Sequence, residues 1–261
     1  MQKQERPVIV MLHALGGSAR AFDLVAAAMP EVETIAVDLP GFGDAVASDA
    51  WSIDAMVAHV AHLVAQRPPE RWMLVGHSMG GKVATLLARR ALTDPNLRGL
   101  AGVVLLAASP PAPEPMAESR RAQMIGWAAN GPVDDEDART FVAANIAGRL
   151  PTPVWAAAVA DVRRSRRRAW LAWLEGGSRE DRRTDAGVLP FPALVVAGDK
   201  DGDLGEDAQR RLNLPHYAHA ELAVVPDAAH LLPLEQPRDV AALIRRHWAA
   251  VADASSAGSA Q

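Results

Sequence analysis

The sequence predicts an α/β protein: a doubly wound, mostly parallel sheet of about six strands, with a helical insertion after the fourth predicted strand. Three observations carry that prediction. Short apolar runs alternate with segments of helical periodicity along residues 8–109 and again along 191–252, the pattern of βαβ units joined by right-handed crossovers. A glycine-rich pentapeptide, Gly76-His77-Ser78-Met79-Gly80, stands where a strand passes into a helix. The alternation breaks over 110–190, where proline, arginine and tryptophan are concentrated. The expected organisation is a core made of 1–109 and 191–252, an insertion over 110–190, and a disordered tail of small and polar residues over 253–261.

Taken in order, residues 8–12 form an unbroken apolar run, as in a central strand buried on both faces. It ends in His13-Ala14-Leu15-Gly16-Gly17-Ser18, followed by a helical stretch over 19–28. A second strand over 34–39 turns at Pro40-Gly41-Phe42-Gly43. Ser52 is placed to cap a helix over 52–66, which Pro68-Pro69 stop. His59 and His62 share a face of it but have no further ligands nearby, so they read as surface residues. The third strand, 72–75, enters the serine turn, the helix over 83–90 leaves it, and the fourth strand spans 102–108. Inside the insertion, helical patches fall near 118–128, 135–147 and 154–173. The fifth strand over 193–199, a helix over 206–212, the sixth strand over 221–225 and a final helix over 236–252 complete the core.

Composition narrows the classes of function. A chain of 261 residues with 49% hydrophobic and 22% charged content is ordinary for a soluble globular protein. A formal net charge of -4 gives no reason to expect nucleic acid or an anionic membrane as partner. There is no cysteine, which excludes disulfides, a thiol nucleophile and cysteine-ligated zinc. The charged stretch Met1 to Pro7 has no signal-length apolar region, and no segment reaches the ~20 apolar residues of a membrane span, so a cytoplasmic protein is expected.

In doubly wound sheets the ligand crevice lies beyond the carboxyl ends of the strands. His13, Leu15, Asp38, Ser78, Ser109, Asp201 and His230 all fall at or just after such ends. Independent core positions would have no reason to gather on one edge. A serine hydroxyl needs a base to remove its proton, and imidazole suits that task near neutral pH. The imidazole in turn needs a carboxylate to fix its tautomer. Ser78, Asp201 and His230 supply the three groups in that chain order, with Asp199 competing for the acid role because it follows the strand directly. The Met79 amide, at the start of a helix, points where an oxyanion would form.

The sequence resembles the α/β-hydrolase fold family in its compact bacterial branch. The likeness rests on Leu12-His13-Ala14-Leu15-Gly16-Gly17, Asp38-Leu39-Pro40-Gly41-Phe42-Gly43, Gly76-His77-Ser78-Met79-Gly80-Gly81, Gly198-Asp199-Lys200-Asp201, and Ala229-His230 followed by Glu235-Gln236-Pro237. That resemblance implies Ser78 as nucleophile, His230 as base, Asp201 as acid, and the amides of Leu15 and Met79 as an oxyanion hole. It makes the insertion a cap over the site, and it implies no cofactor and no metal. Two departures stand out: His13 is followed by Ala14 where the family usually has glycine, and two N-terminal strands carried by many members have little room. Plant esterases and hydroxynitrile lyases open in a similar way, but those lyases place a lysine after the histidine, where Leu231 stands here.

His13, His77, Ser109, Trp127 and Trp155 are the candidates for substrate contact, although most large apolar groups of the insertion are expected to form a core of its own. The run Arg163-Arg164-Ser165-Arg166-Arg167-Arg168 reads as a solvated face, paired in part with Asp161, Glu175, Glu180 or Asp181. The expected function is hydrolysis of a small carboxylic ester or related acyl compound by a monomer or homodimer. The alternatives are hydrolysis of a carbon–carbon bond, a lactone or a thioester, and, from another class, ligand binding without catalysis on the same fold.

Overall fold

Residues 8–45, 49–66 and 68–258 are described by the computed structural model, with side chains as far as 252. Residues 1–7, on which the expectation about the amino-terminal segment rests, lie outside the described residues. Six strands, β1 (Val8–Leu12), β2 (Glu33–Val37), β3 (Trp72–His77), β4 (Leu100–Leu106), β5 (Leu189–Gly198) and β6 (Tyr217–Val225), form one sheet in the order β2-β1-β3-β4-β5-β6. Every neighbouring pair is parallel. The chain order reverses between β1 and β3, and a doubly wound sheet opens a crevice at such a point.

Period-two alternation sorts the strand side chains into two layers. Val10, Leu12, Leu74, Val103, Leu105 and Val195 face one layer, while Ile9, Met11, Met73, Val75, Val104, Leu106 and Val196 face the other. Both layers are buried, which explains why the strands read as continuous apolar runs. Helices α1 (Asp23–Ala27) and α11 (Pro237–Gly258) pack together over the second layer, through Val25, Val240, Ala241 and Ile244. Helices α2 (Ile53–Gln66) and α3 (Met79–Ala91) cover the first through Met56, Val60, Val83 and Leu87. Ser52 Oγ accepts from the Ala55 amide at 3.2 Å, the N-cap bond expected of it.

Residues 110–190 contribute α4 (Glu118–Trp127), α5 (Asp135–Ala143), α6 (Thr152–Arg164), α7 (Arg167–Ala172) and the short α8 (Arg183–Ala186). Their buried groups, among them Met124, Phe141, Val162, Trp170 and Trp173, do not close off a separate core. They join the apolar layer of Leu12, Leu15 and Met79 over one face of the sheet. The single helix expected over 154–173 breaks between α6 and α7. Ser165 Oγ bonds back to the Asp161 carbonyl at 3.1 Å, and the Arg166 amide leaves the helix to donate to the Gly41 carbonyl at 2.8 Å. A tertiary bond to the Pro40-Gly41 turn thus overrides local helical preference.

Asp161 on α6 is almost fully buried and ties this region to the loop after β1. It accepts from Ser18 Oγ at 2.7 Å, from Arg164 Nε at 2.9 Å and from the Arg20 guanidinium. The core closes with α9 (Glu206–Leu212), a single turn α10 (Leu232–Glu235), and α11. The last helix runs to Gly258, into the stretch expected to be a disordered tail. Alanine has the highest helix propensity, and extending an existing helix carries no nucleation cost, so Ala252 and Ala254 prolong it until Gly258. Residues 259–261 lie outside the described residues.

Candidate active site

The crevice at the β1/β3 reversal is built on glycine. A Cβ on Gly80 would stand 2.4 Å from the Leu12 carbonyl oxygen, and one on Gly76 would stand 2.5 Å from the Gly80 carbonyl oxygen. Only hydrogen at these two positions lets α3 start directly against the ends of β1 and β3. The turn between strand and helix is taken by Ser78 at φ 49°, ψ -117°, a conformation of the kind that costs a residue with a side chain roughly 1–3 kcal/mol. Surrounding bonds hold it there: the Ser78 amide donates to the Leu106 carbonyl at 3.0 Å, and its carbonyl accepts from Gly81 at 2.7 Å and Ser109 at 2.9 Å. The hydroxyl is thereby lifted off the sheet into the crevice.

Ser78 Oγ lies 2.8 Å from His230 Nε2, and His230 Nδ1 lies 2.8 Å from Asp201 Oδ2. Asp201 is held by the Leu204 amide at 3.1 Å on its other oxygen. Asp199, the rival carboxylate, instead pairs with Lys200 at 2.9 Å and accepts from the Ala228 amide at 3.3 Å, closing the loop from outside. Burial opposes a charged His230, but the carboxylates of Asp201 and Glu114 outweigh it and raise its pKa above the ordinary value. Burial likewise works against a charged Asp201; the attraction and hydrogen bond of His230 prevail, and its pKa is lowered.

Met79 is the first residue of α3, so its N–H has no acceptor inside the helix. Leu15 lies in the loop after β1, which is fastened to α3 by the Gly80 amide donating to the His13 carbonyl at 3.1 Å. Leu15 and Ser78 line the same small space of about 40 Å³, together with Glu114, Arg120, Asn145 and His230. A larger cavity of about 410 Å³ adjoins it and shares the walls formed by Ala14, Leu15, Phe141 and Leu231.

Of the five side chains expected to touch substrate, only His77 borders either space. Its Nε2 donates to the His230 carbonyl at 2.7 Å, and its Nδ1 is buried without a partner among the described residues. Burial, with His230 close by, pushes its pKa down to about 3, so the ring is neutral. His13 is fully buried: Nε2 accepts from the Leu39 amide at 3.0 Å, which leaves Nδ1 to donate to the Ala14 carbonyl at 2.7 Å. It braces the turns after β1 and β2 and has no free edge for substrate. Ser109 is fully buried and donates to Glu114 Oε2 at 3.2 Å. Trp127 packs edge-on against Phe141 and lines an outer groove, and Trp155 lines another. Side-chain size drew attention to these tryptophans, but helix packing turns them away from Ser78.

Three groups that sequence reasoning passed over stand in the site. Glu114 borders the Ser78 space, and burial raises its pKa. The carbonyl of Asn145 accepts the amides of both His230 and Leu231 at 3.1 Å, so the loop after α5 holds the histidine loop. Arg120 borders the space on α4, bonded to Asp203 at 2.8 Å and Asn145 at 3.0 Å. None carries a local motif; each is recruited by a contact distant in sequence. The arginine run lies elsewhere, along a surface groove with Trp51 and Pro132. Arg163 pairs with Asp135, Arg164 with Asp161 and Asp44, and Arg167 donates to the carbonyls of Ala128 and Ala129.

A parallel sheet with a strained serine at its reversal point, bonded to histidine and that to aspartate, defines an α/β protein of the hydrolase type. Residues 9–243 match the alpha/beta hydrolase family, and the chain belongs to it. Among its relatives is a protein of Serratia proteamaculans named 2-succinyl-6-hydroxy-2,4-cyclohexadiene-1-carboxylate synthase, 30% identical over 92% of each chain. An esterase from Exiguobacterium antarcticum has the same fold, with a TM-score of 0.81 at 18% identity over 93% of this chain and 91% of its own. So does an enol-lactonase from Burkholderia xenovorans, with a TM-score of 0.78 at 19% identity over 95% of this chain and 94% of its own. The protein is a hydrolase of this family. Among the described residues no helix is long and apolar enough to cross a membrane.

Proposed function

We propose that the protein is a serine hydrolase that cleaves a carboxylic ester or related acyl compound through an acyl-enzyme on Ser78. The observation that carries this reading is the relay of two 2.8 Å bonds from Ser78 Oγ through His230 to Asp201. His230 Nε2 takes the hydroxyl proton as Ser78 Oγ attacks the carbonyl carbon, and Asp201 stabilises the imidazolium. The amides of Met79 and Leu15 hold the developing oxyanion. The proton passes from His230 to the leaving alkoxide as the carbon–oxygen bond breaks. Water, deprotonated by the same imidazole, then releases the acid and restores Ser78. The substrate is a small molecule, and a cytoplasmic location is consistent with the cysteine-free chain.

A second reading is hydrolysis or rearrangement of an acidic, carbon–carbon-bonded substrate, suggested by the name of the Serratia relative. It calls for a cation at the pocket wall, and Arg120 is one. Asp203 and Asn145 already engage that guanidinium, however, so little of its charge is left for a substrate carboxylate. The ester reading therefore comes first.

Intact mass after treatment with a small fluorophosphonate tests the mechanism. One adduct on the native protein and none on Ser78→Ala is the expected result. An unlabelled, folded native protein would move non-catalytic binding to the front. A panel of p-nitrophenyl esters, thioesters, lactones and vinylogous diketones then sorts the chemistries.

A further inference from the structure

The small space at Ser78, about 40 Å³, holds little more than a water molecule, whereas the cavity beside it measures about 410 Å³. That larger cavity lies between the loop after β1 and helices α5 and α6. Its walls are made chiefly by Ala21, Val142, Val154, Ala158, Val162 and Leu234. Two of the charged groups on it are already matched, since Asp161 is engaged by Ser18, Arg20 and Arg164. At its rim stands Leu24, 41% exposed, one of few large apolar side chains in the described residues left to solvent. Water gains little in such a space, which offers it few partners. A chain of methylenes gains from it at every step.

We propose that this cavity is a binding site for an aliphatic chain of the substrate, with the chain running from Leu15 and Leu231 beside Ser78 out towards Leu24. The inference rests on the ester reading above and gives it a substrate class: esters of medium-length aliphatic chains. At about 30 Å³ for each water-sized group, the volume accommodates a chain on the order of ten carbons. Either the acyl or the alcohol part would satisfy the cavity, because both leave the same carbonyl carbon. Ala14, Leu15, Phe141 and Leu231 border both spaces, and the proposed chain crosses from one into the other between them.

Two kinetic series test it: p-nitrophenyl esters from acetate to dodecanoate, and acetate esters of alcohols from ethanol to dodecanol. In one of them kcat/KM is expected to rise about fourfold for each added methylene until the cavity is full, and the series that rises tells which part occupies it. Ala158→Phe on α6 and Ala21→Phe on the opposite wall should each lower the decanoyl-to-acetyl (or decyl-to-ethyl) ratio by at least tenfold. Flat profiles in both series, from a native protein that a small fluorophosphonate labels, would overturn the chain site and leave the serine mechanism standing. Calorimetric titration with decanamide separates the two further, since it needs no turnover. Saturable binding to Ser78→Ala that Ala158→Phe abolishes is the expected result, and no binding to Ser78→Ala overturns the proposal even where labelling fails.

Discussion

The Nε2 of His77 donates to the backbone carbonyl of His230 at 2.7 Å, so the residue before the strained serine holds the loop that carries His230. Strand β3 and the loop after β6 are thereby joined on the far side of the Ser78–His230 bond. Replacing His77 by leucine leaves that carbonyl unpaired in a buried place, at a cost of about 1–3 kcal/mol. The expected outcome for His77→Leu is a folded protein with kcat lowered roughly a hundredfold, because the imidazole drifts from its attack geometry. His77→Gln, which can present an N–H at similar reach, should recover most of the loss. Steady-state kinetics with circular dichroism checks both; a His77→Leu enzyme with native kcat would show that the bond does not position His230.

Glu114 shapes the pH dependence. Its carboxylate lies near His230 and helps raise the imidazole pKa. The proposed mechanism needs neutral His230, so activity should climb as pH rises through that raised value, with the midpoint above the ordinary 6.5. Glu114→Gln removes one carboxylate, and the acid limb of the kcat/KM profile should move to lower pH. A profile that moves upward, or not at all, would show that Glu114 is electrostatically uncoupled from the base.

Lys82 makes a prediction about stability. It is fully buried on α3, its Nζ donating to the carbonyls of Gly177 at 2.9 Å and Glu180 at 3.1 Å beneath the ring of Trp173. Burial pushes its pKa down to about 8 from the usual 10.5, with the charges of Glu114 and Glu180 opposing. Between those two values the unfolded chain holds the proton and the folded one releases it. Stability contributed by Lys82 therefore increases with pH over that interval, at up to about 1.4 kcal/mol per unit. Urea titrations at pH 7.5, 8.5 and 9.5 should show the native protein gaining on Lys82→Met as pH rises. A constant difference would mean that the ammonium is not depressed.

The groups proposed to react are legible in the sequence because each stands in a local motif. The strand-turn-helix around Gly76-His77-Ser78-Met79-Gly80 follows from apolar periodicity and from glycines that nothing larger can replace. The parallel sheet follows from strands buried on both faces, which leave continuous apolar runs in the sequence. His13, Ser109, Trp127 and Trp155, expected at the substrate, border neither the Ser78 space nor the cavity beside it, for one shared reason. Position at a strand end, or sheer size, says where a residue lies along the chain but not which way its side chain turns. His13 is consumed by the Leu39 amide and the Ala14 carbonyl, and Ser109 by Glu114.

By itself, then, the sequence determined the six-stranded α/β class, the serine turn, and the order of serine, acid and histidine along the chain. Those features depend on local spacing and on which side chains can fit a tight turn. The tertiary structure brings Asp201, which the sequence already favours over Asp199, to His230, and it alone decided that Glu114, Arg120 and Asn145 surround them and that an apolar cavity opens beside Leu15. Such choices turn on contacts between groups far apart in the chain. The groups around the site and the cavity beside Leu15 are fixed by how α4, α5 and α6 pack over one sheet face, which no short-range pattern encodes.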